Sequence, residues 1–263
     1  MADGVRCEFG KVGENLERAG RLIREIAKRD KHDLFCLPEL SASGYPGGDG
    51  AFDSPTLDAV IEKEDGRSKW FFASVARDVG AFVAYGVVLE SEDGRPTLSH
   101  AVVSPSGDIV ARYDKVHLAG RASIAGEAPT FKAGKSACSF DVRGLRVGVA
   151  VCYDLRFPRL WRKLDCDVVL HPCCFERDDT FPSWSPLVQT RAIENQCYVL
   201  SISHAGESYG GSMAMPPWLG GFDGETFEPT VLGTEEGALP LVVEKRVLDA
   251  VRTKYPYRAD EVV

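Results

Sequence analysis

The sequence predicts an α/β sandwich in which helices cover the sheets. Segments with apolar residues at helical spacing alternate with short apolar runs of strand length. Several of those runs are apolar at every position, the pattern of strands buried on both faces. No repeat, low-complexity tract or linker interrupts the 263 residues, so residues 1–263 are expected to form one domain.

The elements follow in order. Glu14 to Lys28 carries Leu16, Ala19, Leu22, Ile23, Ile26 and Ala27 at helical spacing with charges between them. Leu34-Phe35-Cys36-Leu37 is a buried strand that stops at Pro38-Glu39. Trp70 to Val79 is helical, and Ala81 to Leu89 is a second strand. Ala101–Val103 and Ile109–Tyr113 flank Pro105-Ser106-Gly107-Asp108, whose residue types predict a hairpin turn. Leu145 to Val151 is a strand ending at Cys152. A short helix around Leu160, a strand Val168–His171, a helix Trp184–Asn195 and a strand Tyr198–Ile202 come next. A last strand, Leu239–Val243, precedes a helix near Val247–Val251. At the N-terminus, Val5-Arg6-Cys7-Glu8-Phe9 is too polar for a full strand, so a first strand is short, at a sheet edge, or irregular.

Charge and cysteine usage exclude whole classes of function. The formal net charge is −8 and the pI near 5.3, whereas nucleic acids and anionic membranes attract positive fields. Neither is expected as a partner. The N-terminus lacks the apolar core of a signal peptide and no apolar run has membrane-spanning length, so a cytoplasmic protein is expected. The eight cysteines contain no C-x-x-C pair, and Cys173 and Cys174 are adjacent, which fits neither a zinc site nor a disulfide framework. No metal is expected. His117, His171 and His204 stand apart in sequence beside apolar residues, and nothing local supports a Cys–His dyad.

Three strands share one design, each delivering a reactive side chain at its C-terminal end. Leu34–Pro38 leads to Glu39, Ile109–Asp114 to Lys115 and Val147–Val151 to Cys152. Ligands of α/β sheets bind outside the carboxyl ends of strands, where such side chains can converge. A thiol, a carboxylate and an ammonium suffice for covalent acyl transfer: thiolate attacks, carboxylate carries protons, cation stabilises the oxyanion.

Longer stretches around these residues carry a resemblance. Leu37-Pro38-Glu39-Leu40 with Ser43-Gly44-Tyr45, Tyr113-Asp114-Lys115-Val116-His117-Leu118, and Val151-Cys152-Tyr153-Asp154-Leu155-Arg156-Phe157-Pro158 resemble the three motif blocks of the nitrilase (carbon–nitrogen hydrolase) superfamily. They stand in that family's order and at about its spacings. Arg191-Ala192-Ile193-Glu194-Asn195-Gln196 and Leu232-Gly233-Thr234-Glu235-Glu236-Gly237 resemble two further segments, so the similarity covers essentially the whole chain.

The resemblance implies a four-layer αββα sandwich that uses no metal and no organic cofactor. It implies Cys152 as nucleophile, Glu39 as general base, and Lys115 with the backbone N–H of Tyr153 as oxyanion donors. Glu127, in Gly126-Glu127-Ala128-Pro129-Thr130-Phe131, matches a second glutamate of many members. Arg156, just past the nucleophile, is a candidate to receive a substrate carboxylate; Trp184 is expected in the core or the pocket wall and is a second candidate substrate contact. The residues after Cys152 are most similar to the omega-amidase branch, which implies a small-molecule amide substrate and a homodimer or higher homo-oligomer. Alternatives are an N-carbamoyl amide hydrolase with the same triad and a catalytically silent interaction module. Met213 to Gly224, unusually rich in Pro and Gly, is expected to shape the pocket or a subunit interface.

Overall fold

Each half of the chain builds most of one sheet. The computed structural model describes residues 2–46, 52, 55–120 and 126–262. The first half runs β1 (Ala2–Gly4), α1 (Val12–Ala27), β2 (Leu34–Cys36), α2 (Pro55–Val60) and β3 (Ile61–Glu62). Then come α3 (Arg67–Val79), β4 (Phe82–Leu89), β5 (Thr97–Val103) and β6 (Ile109–Asp114). β1, β2 and β4 are parallel neighbours, and β4–β5–β6 is an antiparallel meander. β3 adds a short parallel pairing to β4.

The second half opens with α4 (Glu127–Thr130), β7 (Cys138–Val142) and β8 (Leu145–Val149). A 3-10 turn at Cys152–Arg156 leads into α5 (Pro158–Leu164) and β9 (Val168–Pro172). α6 (Trp184–Asn195), β10 (Tyr198–Ile202) and β11 (Met213–Met215) follow. β12 (Gly220–Phe222) and β13 (Glu225–Phe227) form a separate hairpin before β14 (Thr230–Val231) and β15 (Gly237–Leu239). The chain closes with α7 (Lys245–Lys254) and α8 (Tyr257–Asp260). The second sheet has the order β14-β11-β10-β9-β8-β7, with β8, β9 and β10 parallel. β15 returns to the first sheet, antiparallel to β1.

Alternation along the strands decides the layering. Val83, Tyr85 and Val87 of β4 pack with Ile23 of α1 and Phe72 and Val75 of α3. Ala84 points the other way, into a core shared with Val102 and with Val149, Leu170 and Leu200 of the second sheet. Within β9, Val168 and Leu170 enter that inter-sheet core, while Val169 meets Trp161, Val188 and Ala192 of α5 and α6. The stack is therefore helix, sheet, sheet, helix, the four-layer arrangement expected. Among the described residues no helix is long and apolar enough to cross a membrane.

The first strand, Ala2–Gly4, is short, one of the alternatives expected, and lies between β15 and β2. One expectation needs correction: the last strand is Gly237–Leu239 and not Leu239–Val243. Pro240 has no N–H to donate to a ladder, so the strand stops before it, and Val242 is left 76% exposed. The Pro/Gly-rich segment joins β10 through Met213–Met215 and then packs on the C-terminus, with Trp218 stacked on Tyr255 at 4.8 Å and Phe222 beside Val247 and Val251.

Candidate active site

Strand ends bring Glu39, Lys115 and Cys152 together. Glu39 lies past β2, where Leu37 N–H still bonds the Ala84 carbonyl at 2.9 Å. Leu40 then takes a left-handed backbone, φ +48°. A Cβ at Gly86 of β4 would run into the Leu40 nitrogen, so glycine there lets the Glu39 turn lie against the strand. Lys115 directly follows β6, its N–H bonded to the Leu98 carbonyl at 2.8 Å. Cys152 begins the 3-10 turn after β8 and has φ +45°, uncommon for a residue with a Cβ.

Lys115 is the hub. Its Nζ donates to Glu39 Oε1 and to Glu127 Oε1, both at 2.7 Å, and its side chain is 0% exposed. Glu127 also accepts from Tyr45 OH at 2.9 Å and, through Oε2, from Ala119 N–H at 2.8 Å. Glu39 Oε2 is buried with no conventional hydrogen bond among the described residues, and the Cys152 thiol interacts with this same carboxyl group.

One ammonium against two buried carboxylates leaves the site short of positive charge, and the protonation preferences follow. Burial pushes the Glu39 carboxyl up to about 7, opposed by Lys115 and reinforced by Glu127. Burial alone would lower Lys115, yet the carboxylates of Glu127 and Glu39 hold its ammonium well above the usual range. The Cys152 thiol is driven well above its ordinary value by burial and by the Glu39 charge, against Lys115 and the Cys174 N–H. At rest the sulfur keeps its proton, and Glu39 is the group placed to take it.

A second set of contacts holds this geometry. His204 Nε2 donates to the Glu39 carbonyl oxygen at 2.7 Å, and His171 Nε2 donates to that of Cys152 at 3.0 Å. Burial lowers both imidazoles to about 4, so both are neutral near pH 7. The fully buried Asp154 carboxylate accepts from Tyr113 OH at 2.6 Å and Val151 N–H at 2.9 Å, and faces His117 N–H at 3.0 Å and Nδ1 at 2.7 Å. It thus ties the Lys115 segment to the Cys152 turn. The N–H of Tyr153 lies in the first turn of a helix, where amides lack intrahelical acceptors.

The two candidate substrate contacts are placed differently. Arg156 is half-buried, donating to Ser183 Oγ at 3.3 Å with its guanidinium 5.9 Å from the Phe175 ring. Trp184 is core: 1% exposed, stacked on Phe175 at 5.1 Å, and donating from Nε1 to Ser201 Oγ at 2.9 Å. Trp184 is thus in the core, one of the two places expected for it. Sequence reasoning missed Tyr45, Asp154 and Ser201, and it weighed His171 and His204 only for a Cys–His dyad. Tyr45 and Asp154 lie inside the quoted motif stretches, so for those two a signal was present.

The description "carbon–nitrogen hydrolase" belongs to the family model that matches residues 9–221. The chain belongs to that family and is an enzyme of carbon–nitrogen bond hydrolysis. It is 30% identical over 223 residues to the deaminated glutathione amidase of Dictyostelium discoideum, covering 78% of this chain and 76% of that one. To the omega-amidase of Xenopus tropicalis it is 29% identical over 259 residues, 93% and 88% of the two chains. Its fold matches that of a mutant amidase from Nesterenkonia sp. AN1 with a TM-score of 0.70 at 22% identity, covering 90% and 86% of the chains. That structure carries the acetamide moiety of fluoroacetamide covalently on its active-site cysteine.

Proposed function

We propose that this enzyme hydrolyses a short carboxamide through a thioester on Cys152, with Glu39 as proton carrier and Lys115 and the Tyr153 N–H as oxyanion donors. The observation that carries the reading is the Lys115 ammonium, fully buried and fixed by two carboxylates beside the thiol. A cation already desolvated and oriented stabilises a developing oxyanion without reorganising.

Glu39 accepts the thiol proton as the Cys152 sulfur bonds to the carbonyl carbon, and the carbonyl oxygen becomes an oxyanion. The C–N bond breaks, Glu39 gives its proton to the departing nitrogen, and ammonia leaves a thioester. Water then adds to the thioester while Glu39 takes its proton. The C–S bond breaks, the acid is released, and the proton returns to sulfur. Glu127 holds Lys115 in place throughout.

For the substrate we propose a monoamide of a short dicarboxylic acid. The omega-amidase relatives support this, as does Arg156, half-buried four residues past Cys152 with Ser183 Oγ as its hydrogen-bond partner. Residues 1–263 acting as one domain, a cytoplasmic location and a homo-oligomeric state belong to the same proposal, as does the absence of nucleic-acid and membrane partners. The test is ammonia release from short amides with and without a terminal carboxylate, and from ureido acids, by wild type and Cys152→Ala. Turnover lost in the mutant and strongest on carboxylate-bearing amides is expected. Equal turnover in both proteins would sink the nucleophile, and a preference for ureido acids would replace the substrate class.

A further inference from the structure

Behind Cys152 runs a chain of hydrogen bonds whose direction is fixed at both ends. Trp184 Nε1–H, a donor only, gives its hydrogen to Ser201 Oγ at 2.9 Å. Ser201 Oγ lies 2.7 Å from His171 Nδ1, and His171 Nε2 lies 3.0 Å from the Cys152 carbonyl oxygen. A carbonyl only accepts, so the neutral imidazole carries its proton on Nε2, and its Nδ1 takes the Ser201 hydroxyl proton. Strand register builds the chain: His171 and Ser201 are paired positions on the parallel strands β9 and β10, and Trp184 opens the helix that covers them. All three side chains are buried.

The carbonyl at the end of this chain shares a peptide plane with the N–H of Tyr153. That plane is rigid and trans, so fixing the oxygen fixes the opposite direction of the N–H. We propose that His171, held by Ser201 and Trp184, is a positioning residue that aims the Cys152–Tyr153 peptide so that the Tyr153 N–H meets the oxyanion. The tether has strain to hold against, because Cys152 sits at φ +45°, a conformation that costs a residue with a Cβ free energy. A donor on the carbonyl also polarises the N–H of the same peptide and strengthens it toward an anion. Trp184 thus acts on the site through hydrogen bonds. The inference rests on the roles proposed above for Cys152 and Tyr153.

Two reactions of the same thiol separate oxyanion alignment from simple damage. Amide hydrolysis passes through a tetrahedral oxyanion, whereas alkylation by iodoacetamide displaces iodide at sulfur and forms none. In His171→Leu, kcat should fall about 10²-fold with KM little changed, while Cys152 alkylation stays within about threefold of wild type. His171→Gln, which keeps an N–H donor of similar reach, should recover most of kcat. Ser201→Ala, which takes away the hydroxyl that anchors the ring at Nδ1, should show the same split at smaller size and serves if the Leu variant does not fold. Equal loss of hydrolysis and alkylation, identical kcat in the Leu and Gln variants, or full kcat in the Leu variant would each overturn the proposal. Cys152→Ala is run alongside: hydrolysis surviving there would bring down the nucleophile itself, and with it this inference.

Discussion

Replacing Lys115 by methionine keeps its volume and removes its charge, and the structure says what that should do. Nζ donates at 2.7 Å to each of two carboxylates that are 2% exposed. Breaking a buried ion pair from one side costs about 3–5 kcal/mol, because the orphaned charge stays buried. Here the orphans are Glu39 and Glu127, both buried, and the remedy open to them is to bind a proton. Glu39 already holds its proton up to about pH 7 with Lys115 present, and without the cation its carboxyl rises further. A carboxyl raised in the folded state above its unfolded value loses stability as pH climbs from the unfolded pKa through the folded one. The deficit of Lys115→Met against wild type should therefore be smallest near pH 5 and grow above pH 7. It can grow by about 1.4 kcal/mol per pH unit for each extra proton the variant retains. Urea unfolding at pH 5, 7 and 8 measures the deficit. Ammonia release measures the second consequence, a loss of about 10²–10³ in kcat from removing an oxyanion donor. Near-normal turnover, or a stability deficit independent of pH, would refute the reasoning.

Two further predictions concern the same machinery. Glu39 must be ionised to take the thiol proton, so kcat/KM should fall about tenfold per pH unit on the acid side of an apparent pKa near 7 for the coupled site; a profile flat from pH 5 to 8 would remove Glu39 as the base. Asp154→Asn replaces one of two acceptor oxygens by an NH2 facing existing donors, and should cost about 2–3 kcal/mol in urea unfolding and lower kcat through the Cys152 turn. A variant as stable and active as wild type would show that Asp154 does not tie the two segments together.

Much of the architecture was legible because burial leaves a pattern in sequence. The helix Trp184–Asn195 and the strand Tyr198–Ile202 occur with the boundaries expected, and the hairpin at Pro105–Asp108 joins β5 to β6. Leu241-Val242-Val243 misled for the converse reason: an apolar run reads as a strand, but Pro240 breaks the ladder that would have made it one. The reactive residues were readable as strand termini plus motif. The residues supporting them were not, since a histidine bonded to a backbone carbonyl 165 positions away leaves no spacing signal. His171 and His204 each sit among apolar neighbours, like any core histidine. Only the fold shows that their ring nitrogens end on the carbonyls of Cys152 and Glu39. Trp184 was legible as a core residue, but only the fold shows that its indole N–H reaches the site through Ser201.

The thioester on Cys152 is the central claim, and intact-protein mass measured after acid quench during turnover of a short amide tests it most directly. A transient mass gain equal to the acyl group less one hydrogen is expected, mapped to Cys152 and missing from Cys152→Ala. An adduct on Cys174 instead, or turnover that persists in Cys152→Ala, would contradict it.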